Sequence, residues 1–298
     1  MGNAPSDLHK AAGDGDVVAL REALSRSHDI DIREPVTRQT PLHAASSVGS
    51  ESCVSELLDA GALVDARDCD GATPLLCACV SGHATVVKML VAKMPSAVDV
   101  ADDSGYTALY AACEYGFPEL VELLLATHNV MLNRAAADGT TPLYISCQED
   151  GADCARLLVR AGAATHVVTP EGRTPLHAAC LAGSEDCVRV LLEAIAGGRS
   201  LMNAVDALGF SPLHLCAECS NSALGDACAD LLLAAGATVT PRPNGSIQGD
   251  DYEDGVRNDE AERSRRRDRD DDSSCSDCRN GSAARRSRSR SRSRDRER

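Results

Sequence analysis

The stretch TPLHAASSVGSESCVSELLDAGALVDARDCDG, running from Thr40 to Gly71, decides the fold. Thr40 suits a helix N-cap, because its hydroxyl can accept from an orphan amide of the first turn. Pro41 suits the first helical position, where its missing N–H costs nothing. Leu42 and Ala45 share one helical face, and the small Ala44 and Ala45 let another helix approach closely. Gly49 breaks that helix. Val54, Leu57 and Leu58 mark the inward stripe of a second one, and Gly61 supplies its C-terminal stop. Asp70-Gly71 is a tight-turn signal. The stretch therefore predicts helix, turn, helix and then an extended hairpin loop.

The opening tetrad recurs along the chain. It starts at Thr40, Thr73, Thr107, Thr141, Thr174 and Ser211, with spacings of 33, 34, 34, 33 and 37 residues, and a weaker copy lies around Leu8-His9. A fixed period of this length marks a repeat architecture. One unit cannot bury its apolar face alone, so its neighbours must supply the core. Seven units are expected, near 5–38, 39–71, 72–105, 106–139, 140–172, 173–209 and 210–240, making a domain over 1–240.

The period, the T-P-L-H tetrad and the L-L-x-x-G-A ending resemble ankyrin repeats. The resemblance implies an all-α solenoid of helix–turn–helix units with β-hairpin loops. It also implies that hairpin tips and first helices line a concave groove for protein partners. Several units depart from the pattern. The third ends Lys93-Met94-Pro95, the fourth Thr127-His128-Asn129, and the sixth carries an insertion around Gly197 to Ser200. The seventh has extra residues within Ser220 to Leu224, expected to lengthen a loop. Phrases such as T-P-L-Y-I-S-C-Q are similar to ankyrin proteins that carry a SOCS box and serve cullin–RING ubiquitin ligases. That box needs a Leu-rich helix, and residues 241–298 hold only Ile247 and Val256 as large aliphatics.

Composition narrows the function classes. Aromatics are 2% of the 298 residues, with no Trp. This argues against a sandwich or barrel and against modules that stack bases on rings. No apolar run approaches the ~18 residues of a membrane span. The net charge of −15 is uneven: residues 1–240 carry 14 basic against 31 acidic side chains, whereas 285–298 carry eight Arg against two acids.

The fourteen cysteines invite a metal or disulfide reading, but their spacing favours packing. Cys79, Cys113, Cys147 and Cys180 share one repeat position, and Cys53, Cys154, Cys187 and Cys228 another. A free Cys behaves as a small buried hydrophobe. Equivalent positions one repeat apart lie too far from each other for disulfides, which need Cα atoms within ~7 Å. The pattern implies a reducing, intracellular setting. Cys216-x-x-Cys219 and Cys275-x-x-Cys278 have zinc half-site spacing, yet neither has the remaining ligands of a tetrahedral site nearby. His9, His43, His177 and His214 hold the fourth tetrad position, which the family uses for structural hydrogen bonds. No catalytic constellation, metal site or cofactor is expected; the chain reads as a non-enzyme.

A binding surface is expected from the acidic hairpin tips and first-helix ends: Asp68, Asp70, Asp102, Asp103, Glu114, Asp138, Gln148, Glu149 and Glu171. Like charges in a row steer a basic partner, so the expected partner is a protein with a basic surface, bound by a monomer.

From Pro241 helical periodicity disappears, and Pro, Gly, Ser, Asp and Arg dominate, which predicts a disordered tail over 241–298. Its end, RRSRSRSRSRDRER, is an Arg-Ser run similar to those of splicing-associated proteins, so an RNA- or splicing-associated protein acting through the tail is an alternative reading. Phosphorylation of Ser287, Ser289, Ser291 and Ser293 would add about −1.5 to −2 each and cancel the basic charge. Nucleic-acid binding is expected weakly, if at all, and only through this tail; nuclear import is another role for it. Met1-Gly2-Asn3-Ala4-Pro5-Ser6 fits N-myristoylation at Gly2, which alone gives only marginal, peripheral membrane contact. The expected location is cytoplasmic, nuclear or both, in a signalling role.

Overall fold

The structure, a computed structural model, describes residues 7–27, 29–127, 130–195, 199–219 and 221–241. They form two compact units, one up to Asp103 and one from Ser104 onward. The expectations for Gly2, for the Arg-Ser serines and for Cys275 and Cys278 lie outside the described residues.

The first unit holds α1 (Asp7–Gly13), α2 (Val17–Arg26), α3 (Pro41–Val48), α4 (Glu51–Asp59), α5 (Pro74–Ser81), α6 (Ala84–Lys93) and a 3-10 turn at Pro95–Asp99. The second holds α7 (Ala108–Glu114), α8 (Pro118–Leu125), α9 (Pro142–Gln148), α10 (Ala152–Arg160), α11 (Pro175–Ala182), α12 (Glu185–Ala194), the short α13 (Arg199–Met202), α14 (Pro212–Glu218) and α15 (Ser222–Ala234). Within each unit, like helices stack. First helices pack α1 on α3 on α5, and α7 on α9 on α11 on α14. Second helices pack α2 on α4 on α6, and α8 on α10 on α12 on α15. This is the all-α ankyrin architecture. The hairpin loops are present as turns, and no strand is assigned among the described residues.

The two helix types are buried differently. In α3, Pro41, Leu42, His43, Ala45, Ser46 and Ser47 are all buried; in α4, only the stripe Cys53, Val54, Leu57 and Leu58 is. A first helix is covered by its own partner helix and by neighbouring repeats. That is why it is made of small residues with one large aliphatic. Leu42, Leu57, Leu75 and Leu90 are fully buried in the first unit, as are Leu109, Leu120, Leu143 and Leu158 in the second. Each contributes about 1.5–3 kcal/mol of burial, a stabilisation available only because a neighbour covers it.

The irregular repeats resolve locally. Met94, at φ −145°, breaks α6 just before Pro95, and the 3-10 turn Pro95–Asp99 replaces the usual Gly-Ala stop. The insertion in the sixth repeat includes α13. In the seventh, the extra residues do not simply lengthen a loop: α15 begins at Ser222 and runs 13 residues, where the other second helices run 8 to 10. Asn221 caps it by accepting from Ala223 N–H at 3.2 Å, so the insertion is absorbed as extra helix. Among the described residues, no helix is long and apolar enough to cross a membrane.

Gly49, at the C-cap of α3, has φ +78° and its N–H donates to Ala45 O at 3.0 Å. The equivalent position in the fifth repeat is Asp150, which takes φ +58° without being glycine. Its carboxylate accepts from the Ser184 hydroxyl, and that contact helps to hold the unfavourable backbone. Gly49 has no such latitude. A Cβ there would lie 2.3 Å from Nδ1 of His83, whose Nε2 reaches Ser47 O at 2.9 Å. Gly49→Ala should therefore cost about 1–3 kcal/mol through positive φ and displacement of that imidazole. Urea unfolding would measure it; a loss below a few tenths of a kcal/mol would contradict this account.

Candidate partner-binding face

Several hairpins are built by one short polar side chain just before the turn; the hairpin before α9 has Ala136 there and closes by its backbone alone, Ala136 N–H on Thr140 O at 2.8 Å. Asp68 is 8% exposed, and its Oδ1 accepts from Asp70 N–H at 3.0 Å and Ala72 N–H at 2.8 Å. Its own N–H donates to Ala72 O at 3.0 Å. Burial raises its carboxyl above the ordinary Asp value, opposed by the bonds from Ala72 and Asp70. Asp206 repeats this in the hairpin before α14, accepting from Leu208 N–H at 3.0 Å and Phe210 N–H at 2.9 Å. Thr169 serves the hairpin before α11, with its N–H on Arg173 O at 3.0 Å. This corrects the placement of Asp68 on a charged face: its carboxylate points into the turn it holds. Asp102 occupies the equivalent register position and is half-buried. The signal was legible as an Asx-turn, an Asp whose side chain bonds its own backbone two residues on.

The other expected residues fall in several settings. Asp70 and Asp103 are exposed and adjacent, because successive hairpins of the first unit are stitched by Cys69 N–H to Thr37 O at 2.8 Å and Asp103 N–H to Asp70 O at 3.0 Å. Asp103 also pairs with Arg67 at 2.8 Å, both ends exposed, a contact worth at most about 1 kcal/mol. Arg33 reaches the carbonyl of Arg67. This edge therefore mixes Arg with Asp, which a list of acids alone did not show.

In the second unit, Ala137 N–H donates to Ser104 O at 2.9 Å and Ala207 N–H to Glu171 O at 2.7 Å, so its hairpins are in register too. Asp138 is half-buried and accepts from Thr140 N–H at 2.9 Å; Glu171 is exposed. Glu114 and Gln148 are half-buried at the last turns of α7 and α9, and Glu149 is the exposed C-cap of α9. Burial, then the charge of Glu114, drives the Tyr110 hydroxyl far above its ordinary value. Three residues the sequence reading missed are aliphatic: Val168, Val205 and Leu208 are 51%, 57% and 56% exposed on the hairpins of this unit. For Leu208 the signal was an apolar residue where the preceding repeats carry Asp138 and Glu171.

The fourth tetrad position joins several repeats to the next, though not the repeat of Thr73, which carries Leu76 there. Nδ1 of His43 accepts from Thr40 N–H at 3.1 Å, so the ring proton sits on Nε2, which donates to Ala72 O at 3.1 Å. His177 does the same with Thr174 at 3.1 Å and Phe210 O at 3.2 Å. His214 reaches Thr240 O at 2.9 Å, and His9 reaches Gln39 O at 2.7 Å. Tyr110 makes the equivalent link through Thr140 Oγ1 at 3.0 Å. For His9, His43, Tyr110 and His177 the partner lies immediately before the next tetrad; Thr240 follows the last one. A second link is buried: Arg173 Nε faces Asp206 Oδ2 at 3.6 Å, with side chains 11% and 1% exposed.

As to metals, Asp68, Cys69 and Asp70 bring ligand atoms within 4.8 Å of one another. Asp68 Oδ1 is already committed to two backbone amides. Cys216 lies in α14 and Cys219 is its C-cap; both are buried.

The comparisons with known proteins agree with this geometry. A family model described as "Ankyrin repeats (3 copies)" matches residues 8–100, 94–168 and 153–242. The chain belongs to the ankyrin-repeat family, whose repeats are protein–protein interaction modules. The human ASB11 ankyrin repeat domain is 28% identical, with a TM-score of 0.66, over 80% of this chain and 100% of that one. The ankyrin repeat domain of Bcl-3, an IkappaB family member, is 24% identical with a TM-score of 0.65 over 78% of this chain and 99% of that chain, and shows the shared fold. Rabankyrin-5 of Homo sapiens is 46% identical over 54 residues, 18% of this chain and 5% of that protein. The Mus musculus protein is 43% identical over the same length. The chain thus matches only a small part of these curated relatives.

Two predictions follow the joints between repeats. Burial, the largest cause, lowers His43 to about 4, helped by the charges of Arg33 and His9 and opposed by its backbone bonds. An unfolded His titrates near 6.5. The unfolded chain therefore binds the proton first, and stability should fall as pH drops from about 6.5 to about 4, by roughly 3 kcal/mol from this group. His177 shifts in the same direction, chiefly by burial. Urea unfolding from about pH 7 to about pH 4.5 should show the slope, and His43→Asn should flatten it. In Asp206→Asn an oxygen remains for Leu208 and Phe210, but the charge facing Arg173 is removed. The expected cost is about 3 kcal/mol; a neutral result would show that the pair contributes nothing.

Proposed function

We propose that this chain is a non-catalytic adaptor that holds a basic protein segment on the hairpin and first-helix edges of its ankyrin repeats. The observation that carries the reading is the preorganised edge itself. Exposed Asp70 and Asp103 in the first unit, and Glu149 and Glu171 in the second, stand on turns already held by backbone bonds. Little ordering entropy remains to be lost on binding. In the first unit Asp70 and Asp103 steer a basic partner; in the second, Glu149 and Glu171 do so while Val168, Val205 and Leu208 supply apolar contact. A partner carrying Arg or Lys beside aliphatic groups fits this mixture.

In this reading the Arg-Ser run is a charge-switched modulator. Unphosphorylated, it is a basic segment of the kind the acidic edges attract. With phosphate on Ser287, Ser289, Ser291 and Ser293, it no longer is. Myristoylation of Gly2 would add a weak membrane contact, and the location would be cytoplasmic, nuclear or both. A second reading, as substrate receptor of a cullin–RING ubiquitin ligase, is favoured by the phrases shared with SOCS-box ankyrin proteins. It is opposed by the scarcity of aliphatics in 241–298.

The test uses the full chain and a synthetic peptide of residues 285–298, bare or phosphorylated on the four serines. Bare peptide should bind with an affinity that falls as salt rises, and phosphorylated peptide should bind at least about tenfold more weakly. The double change Asp70→Lys and Asp103→Lys, sparing Asp68 and Asp102, should lower capture of the bare peptide. Equal binding of both peptides would sink the charge-based reading.

A further inference from the structure

The seventh repeat leaves open the positions that every earlier repeat covers. At the third tetrad position, Leu42, Leu75, Leu109, Leu143 and Leu176 are all buried, whereas Leu213 on α14 is only half-buried. Four residues on, Ser46, Cys79, Cys113, Cys147 and Cys180 are fully buried, whereas Ala217 is exposed. In the second helices, Val54, Val87, Val121, Ala155 and Val188 are fully buried, whereas their counterpart Ala229 on α15 is half-buried. Leu233 is 44% exposed, against 7% for its counterpart Leu58.

The first repeat shows which neighbour does the covering. Its residues at these positions, Leu8, Ala12 and Leu20, are buried. There α1 packs on α3 and α2 on α4, with no repeat described before them. The positions therefore face the following repeat. The sequence after α15 does not supply one. Residues 242–298 hold only Ile247 and Val256 as large aliphatics, too few for the apolar stripes of another helix pair.

Two features of this face bear on what covers it. None of its four residues is charged. The nearby Asp226 and Asp230 stand at the positions of Glu51 and Ser55, which are exposed in an internal repeat too and so lie off the stacking face. The face is also patterned. On each helix a large and a small residue stand four apart, on one side: Leu213 and Ala217 on α14, Ala229 and Leu233 on α15. A two-fold axis running across both helices, between these residues, lays each helix antiparallel on its own copy. Leu213 then sits over the copy's Ala217, and Leu233 over the copy's Ala229. Large meets small at each place, as close packing needs, and the patch is its own complement.

We propose that the outer face of α14 and α15 is a self-association surface, on which a second copy of this chain stacks. The contact continues the helix-on-helix packing that joins α11 to α14 and α12 to α15. The chain is then a two-fold dimer rather than the expected monomer. One repeat face is small, so the dissociation constant falls in the micromolar range, about 1–100 μM. A dimer carries two copies of each hairpin edge, and a partner with two basic segments gains avidity from it. The dimer itself does not depend on that partner.

The experiment is sedimentation equilibrium of the full chain from about 1 to about 500 μM under reducing conditions. It is run at low salt and at about 0.5 M salt, where exposed charges are screened. A monomer–dimer equilibrium that survives high salt is expected. Ala217→Glu and Leu233→Glu should each raise the dissociation constant at least tenfold, because each places an unpaired charge in the contact. Asp226→Lys, off the face, should leave it unchanged. Both Glu sites are exposed in the single chain, and thermal unfolding of the dilute variants checks that the fold is kept. In the unmodified chain, amide exchange in α14 and α15 should slow as concentration rises; should a Glu variant fail to fold, this measurement decides. A monomer at every concentration overturns the proposal, whatever else covers the face. So does a dimer indifferent to both Glu changes, or one protected outside α14 and α15. Association that vanishes at high salt also overturns it while leaving the basic-segment reading intact, since a basic tail on the acidic edge of another chain is a contact between charges.

Discussion

Everything in this fold depends on a polar joint inside an apolar stack. A single imidazole, in one tautomer, accepts from the backbone that starts its own helix and donates to the carbonyl that precedes the next. His43 and His177 do this while buried. Hydrophobic burial between helices is large but non-directional; it holds repeats together without setting their register. The imidazole bonds are directional, and where they occur they place the following hairpin at a defined step. Where the ring is replaced by Tyr110, a hydroxyl and Thr140 complete the same span.

That joint explains why the hairpins are usable as a surface. Once Ala72 and Phe210 are held by the preceding repeats, Asp68 and Asp206 can fold the turns around their own carboxylates. The acids spent on this are unavailable to a partner, and those left over stand at the tips. Charge on such an edge is thus of two kinds that composition cannot separate. One kind is structural and buried; the other is solvated and directs encounter.

The thiols are of the buried kind. Free cysteine fills space at the repeat positions where Ala or an aliphatic is usual, as at Cys79, Cys113 and Cys154. Burial holds the Cys79 and Cys113 thiols well above their ordinary value, so they pack as small apolar groups.

Period, caps and stops were legible without any structure. Thr-Pro at a helix start, Gly at its end and a 33-residue spacing are local signals, and local backbone energetics enforce them. The interior role of the tetrad histidines was legible through the family pattern. Other features needed the third dimension. The inward turn of Asp68, the pairing of Arg173 with Asp206, and the exposed Val205 and Leu208 all depend on which side chains neighbouring repeats bring together. Those partners lie about one repeat away along the chain, and a residue's type does not record whether such a neighbour faces it or leaves it to solvent.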